Sequence, residues 1–206
     1  MSSARLLPLL LFCLGATGCG ARPMSVAAPA HAIRADEFDA VRRAWTRSAS
    51  VVPLSGFENV LTVTATFQSL EFRAAYVARY ARDYGMGPRE RADLAAAHRS
   101  AYGRELTFYV TAYSGTQHRD ADLSDPDRGW RVLLLTPHGR YAPTRIEKIE
   151  NPTAVQRAYY PHTHPQRMVF LIGFPPALAA DERWFGLDVR GARGSATLRW
   201  QLDAPD

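Results

Sequence analysis

The chain has 206 residues, 47% of them hydrophobic and 22% charged. This is the balance of an ordinary globular domain, and it excludes a disordered or collagen-like chain. The formal net charge is +5, carried almost wholly by arginine, with Lys148 the sole lysine; the arginines alternate with Asp and Glu rather than forming a run, so they read as a solvated surface and not as a nucleic-acid stripe.

The first residues fall into three zones. Arg5 gives a positive start, Leu6–Leu14 (LLPLLLFCL) is apolar, and Gly15-Ala16-Thr17-Gly18 are small and precede Cys19. A membrane-spanning helix needs about 20 apolar residues, so this run, interrupted by Pro8, is too short. A positive start, a short apolar stretch and small residues at the cut make an export signal. With a cysteine at its end, the segment resembles the signal peptide and lipobox of bacterial lipoproteins. Ala16 departs from that pattern, where leucine is usual. Ala16-x-Gly18 also suits an ordinary signal peptidase, which would release a soluble protein.

The resemblance implies that residues 1–18 are removed and that Cys19 becomes a diacylglycerol-bearing N-terminus. It implies a protein of a Gram-negative-type envelope, partnered by the membrane through Cys19 and by other envelope proteins. Gly20 in place of Asp resembles lipoproteins sent to the outer membrane, and export argues against nucleic acid as a partner. Cys13 leaves with the signal, so the exported domain has neither thiol nor disulfide and relies on packing. About 170 residues suffice for that, burying close to 70% of the unfolded surface. Residues 19–35, small and proline-containing, are expected as a flexible tether with a reach of roughly 20 Å.

Residues 36–206 read as one domain. Phe38, Val41 and Trp45 mark a short helix, while the overlapping WTRSASVV suits an edge strand. Leu61–Phe67 (LTVTATF) alternates strictly, the signature of a half-buried strand. The period then changes to four at Phe72, Tyr76, Tyr80 and Tyr84. Ser69 is a natural N-cap, Gly85 a stop and Pro88 a first helical residue, and Leu94, His98 and Tyr102 continue the pattern. This predicts a helical hairpin over about 69–102, its aromatic stripe packed on a sheet rather than forming a ligand platform.

Strand patterns return at 106–113, 130–136, 144–149, 167–174, 184–190 and 196–202, with a helical turn or two at 153–158. Short strands separated by turn-rich spacers predict a mainly β fold, an antiparallel immunoglobulin-like β-sandwich with the helical hairpin inserted. In this respect the chain resembles uncharacterised β-sandwich lipoproteins of bacterial envelopes. That resemblance supplies no active-site motif.

The search for chemistry is mostly negative: GxSxG, HExxH and GxxxxGK[ST] are all missing. Two polar clusters stand out. Asp120, Asp122, Asp125 and Asp127 share one loop, and clustered carboxylates suit calcium. The EF-hand spacing fails, however: with Asp120 first, Asp125 falls where glycine is required and Arg131 where the bidentate Glu belongs. His162 and His164 are two apart and would point the same way in a strand, so one zinc or copper ion could take both; a zinc site needs at least three protein ligands. His31, His98, His118 and His138 are scattered, and Pro161 and Pro165 suit an exposed loop equally well. The leading expectation is a lipid-anchored, non-catalytic binding or assembly module. The alternative is a metal-dependent enzyme or metal binder using either cluster.

Overall fold

The computed structural model describes residues 24–51, 60–178 and 181–203. The expected leader 1–18 and the lipidation site Cys19 lie outside the described residues. No helix among the described residues is long and apolar enough to cross a membrane.

Segment 36–48, ambiguous by periodicity, holds both elements: α1 (Phe38–Ala44) buries Phe38 and Val41, and β1 (Thr46–Val51) follows it. In β2 (Leu61–Phe67) the side chains of Leu61, Val63, Ala65 and Phe67 are fully buried, one face of a two-residue period. The opposite face is covered as well, since Thr64 and Thr66 are also buried. The hairpin follows as α2 (Leu70–Asp83) and α3 (Pro88–Arg104). The Ser69 hydroxyl accepts from the Phe72 N–H at 3.0 Å and so starts α2. Gly85 stops it at φ +63°, a backbone conformation that side chains with a Cβ rarely adopt.

The chain continues with β3 (Leu106–Tyr113), β4 (Arg131–Thr136), β5 (Gly139–Tyr141) and β6 (Arg145–Lys148). After these come α4 (Ala154–Tyr159), β7 (Met168–Phe174), β8 (Trp184–Gly191) and β9 (Gly194–Gln201). Among the described residues there are two sheets: a five-stranded sheet in the order β1-β2-β3-β7-β6 and a four-stranded sheet in the order β5-β4-β8-β9. Every pairing is antiparallel. The antiparallel sandwich with its hairpin between β2 and β3 is therefore observed. The class is mixed α/β rather than mainly β, because the short helices α1 and α4 add to the helical hairpin.

An aromatic cluster fills the space between the sheets. Phe185 stacks on Trp200 at 5.0 Å and 8°, with Phe67 at 4.9 Å from Phe185. Such ring pairs add about 1 kcal/mol each beyond the area they bury. Trp200 Nε1 donates to the Trp45 carbonyl at 3.0 Å, and Trp45 Nε1 donates to Glu71 Oε2 at 2.7 Å. Both indole N–H groups are thus satisfied inside the core.

The expected tether differs from a free linker. Met24, Val26 and Ile33 are buried in the main hydrophobic cluster, and the Asp203 N–H donates to the Met24 carbonyl at 2.9 Å. The three larger apolar side chains of an otherwise small-residue segment are what dock it.

Candidate functional site

Among the described residues, neither sequence-predicted cluster comes together as a group of three metal ligands. His162 lies over the outer face of β2 and β3, its Nε2 3.0 Å from Thr66 Oγ1 and its Nδ1 3.1 Å from Thr111 Oγ1. The polarity of this bridge follows from its far end. The Thr46 hydroxyl donates to the Arg42 carbonyl at 2.7 Å, so it accepts from Thr66 at 2.8 Å. Thr66 has then spent its proton and accepts from His162 Nε2–H, which leaves Nδ1 to accept from Thr111. Arg167 Nη1 donates to Thr111 at 3.5 Å and to Thr64 at 3.0 Å. Burial, then Arg167 and Arg42, push the imidazole down to about 4. It is a neutral ring with both nitrogens committed, and it joins two strands.

His164 points elsewhere: its Nδ1 accepts from the Gln166 N–H at 3.3 Å. Asp120 accepts from Thr116 and Arg193. Asp122 accepts from Ser124 and pairs with Lys148 at 3.1 Å. Asp125 caps the Asp127 N–H and pairs with Arg128, and the Asp127 side chain is exposed. Among the described residues no three His, Cys, Asp or Glu side chains are grouped to hold a metal ion. The calcium candidates Asp120, Asp122, Asp125 and Asp127 and the zinc candidates His162 and His164 are thus not brought together as a three-ligand group among the described residues. The local reason is that loop hydroxyls, backbone N–H groups and arginines satisfy the carboxylates individually, while two threonines hold one histidine.

His164 does share a surface cleft of about 700 Å³ with His118, Arg119, Lys148, Arg157 and Arg167. Several of its cations already have partners. Lys148 is paired with Asp122 and Glu150, and Arg157 Nη1 donates to the Pro152 carbonyl.

A different arrangement occurs under the helical hairpin. A cavity of about 450 Å³ lies between residues 28–33 and the facing sides of α2 and α3. Its walls are small and aliphatic, with Ile33, Leu70, Ala74, Val77 and Ala95 among them, and its charged lining groups are Arg73, Arg91 and Arg99. No carboxylate among the described residues contributes to the lining. Arg73 is only 7% exposed. Its Nε donates to the Gln68 carbonyl at 2.9 Å, and no carboxylate among the described residues is ion-paired with it. Burial holds its pKa below the usual value, opposed by Tyr160, Tyr102 and Glu105.

Beside it, the buried Nδ1 of His98 has no hydrogen-bond partner among the described residues. Burial and then Arg73 push that imidazole down to about 4. A second cavity of about 230 Å³ shares Arg73 and His98 and is walled by Phe72, Tyr76, Tyr109 and Tyr160. Tyr109 and Tyr160 stack at 3.9 Å, and Tyr76 lies 5.4 Å from the His98 ring. Burial pushes the Tyr76 and Tyr102 hydroxyls up to about 12, so both stay protonated at neutral pH.

A guanidinium in such surroundings is costly unless an anion meets it. The arrangement is chemically an acceptor of negative charge flanked by apolar surface. Sequence periodicity finds the stripe residues Phe72 and Tyr76 but not Arg73, which shares the helix with them and carries no pattern of its own. Comparison with protein-family models, curated proteins and solved structures finds no significant match for this chain. Fold and cavity together define a β-sandwich protein with a cationic, helix-roofed pocket.

Proposed function

We propose that the protein is a lipid-anchored module of a bacterial cell envelope that binds a ligand or partner without transforming it. The observation that carries the binding role is Arg73: a buried guanidinium at a preformed cavity, with no acidic partner among the described residues. The signal-like leader ending at Cys19 supports the address, an acylated N-terminus in the outer membrane of a Gram-negative-type envelope, with other envelope proteins as neighbours.

The strand order supports an immunoglobulin-like topology. Read as A to G, β2-β3-β7-β6 takes the order A-B-E-D, and β5-β4-β8-β9 the order C′-C-F-G. On this reading β1 is an added edge strand and the helical hairpin is an insertion in the A–B connection.

Intact-mass analysis of the membrane fraction tests the address. The expected product begins at Cys19 and carries the mass of its acyl chains. An unmodified product in the aqueous fraction overturns it. Native mass spectrometry of the protein extracted from its own membranes tests the binding role. A bound species displaced by filling the cavity with Ala95→Trp supports it, and a mass with nothing bound, unchanged in that variant, counts against it.

A further inference from the structure

We infer that the cavity beneath the α2–α3 hairpin is the seat of a single-chain anionic amphiphile, with a carboxylate or phosphate head met by Arg73, Arg91 and Arg99 and an apolar tail lying against the aliphatic walls. The inference rests on the binding role proposed above and gives that role a ligand class.

Three observations lead to it. The first is charge: the charged lining residues are arginines, and the most buried of them uses Nε for a backbone carbonyl while its terminal nitrogens form no hydrogen bond among the described residues. A guanidinium fork of this kind matches a carboxylate or a phosphate. The second is unspent polar capacity at the same spot. His98 Nδ1 is buried without a partner among the described residues, and a neutral imidazole nitrogen there donates to an oxyanion in one tautomer. The third is wall chemistry. Ala74, Val77, Ala95, Leu70 and Ile33 offer no hydrogen bonds from their side chains, so whatever occupies that side is apolar. At about 450 Å³ the cavity falls within the usual range for small-molecule sites.

The strap of residues 28–33 that lines the cavity bears on where the ligand would come from. Val26 and Ile33 are buried at its two ends, and Ala27, Ala28, Ala30, His31 and Ala32 arch exposed between them. Val26 lies seven residue steps after the expected acylated Cys19. Fully extended, these steps span at most about 25 Å. The buried end of the strap is thus within about that distance of the bilayer surface, where single-chain anionic lipids are available. Acyl chains on Cys19 itself could reach the same walls but bring no anion to Arg73.

The test uses the full-length protein in nanodiscs of zwitterionic lipid, titrated by calorimetry with octanoate, octyl phosphate, octanol and inorganic phosphate. Empty discs give the background, and the imidazole resonance of His98 is followed in parallel. The two octyl anions are expected to bind saturably, at least tenfold tighter than octanol or inorganic phosphate, and to move the His98 signal. Their relative affinities distinguish a carboxylate head from a phosphate head. Replacing the exposed pair, Arg91→Ala with Arg99→Ala, is expected to weaken both anions at least fivefold with an unchanged melting temperature. This rim variant keeps the test decisive if Arg73→Met fails to fold.

Octanol binding as tightly as octanoate, or a rim variant with full affinity, would overturn the anionic class while leaving a binding role intact. Inorganic phosphate binding as tightly as octyl phosphate would overturn the tail. If no probe of any charge binds and Ala95→Trp changes nothing, the inference and the binding role fall together.

Discussion

Acid should loosen this protein through His162, and the size of the effect can be worked out. The ring is held neutral between Thr66 and Thr111, with Arg167 and Arg42 as the charges acting on it. Its pKa is pushed from 6.5 in the unfolded chain to about 4 in the fold. Between those values the unfolded chain binds a proton that the fold refuses. The neutral ring's contribution is therefore complete above pH 6.5 and is lost as pH falls through 4. Over the whole window it amounts to about 3 kcal/mol, at about 1.4 kcal/mol per pH unit. His98 acts in the same direction over the same window, damped by solvent at its half-buried ring.

Urea unfolding at pH 7, 6 and 5 reads this directly. On going from pH 7 to 5, the native protein should lose about 2 kcal/mol more than His162→Asn. The variant should itself start about 1 kcal/mol lower at pH 7, having lost one of two threonine bonds. Equal slopes for the two proteins would refute the buried neutral ring and, with it, the hydroxyl relay running from Thr111 to the Arg42 carbonyl.

Three further outcomes are expected. Glu182 is 3% exposed, its carboxylate oxygens have no hydrogen-bond partner among the described residues, and the His138 ring 3.6 Å away is charged only when protonated. Glu182→Met should therefore raise stability by about 1 kcal/mol or more in a thermal melt at pH 7, and a lower midpoint would contradict this. A Cβ at Gly191 would meet the Gly129 carbonyl oxygen at 2.6 Å and the Trp130 ring at 3.0 Å. Gly191→Ala should cost about 1–3 kcal/mol by overpacking a site that must shift its backbone, and an unchanged urea midpoint would argue against the close approach. Cys19→Ser should move the protein from the membrane pellet to the soluble fraction, whereas retention in the pellet would point to a different anchor.

The parts of the fold that repeat were readable from the residues alone. Leu61–Phe67 and Leu106–Tyr113 alternate, and both are strands; Phe72, Tyr76, Tyr80 and Tyr84 step by four, and they lie on α2 and its C-terminal edge. Elements without room for a period were harder. Gly139–Tyr141 is three residues long and is held to β4 by its register with Leu134–Thr136, a partner that no local pattern specifies.

The polar clusters show the limit of sequence spacing for a related reason. Sequence spacing shows that donors are near one another, but not what else is near them. His162 and His164 part because Thr66 and Thr111, from strands far away in the chain, supply better partners for one ring. The cationic cavity is the same problem inverted. Residues 28–33, α2 and α3 each look ordinary, and the space between them exists because alanines occupy positions where larger side chains would have closed it. A hollow leaves no motif. Arg73 becomes informative only when its burial is known, since the same residue facing water would have needed no counter-ion and implied no ligand.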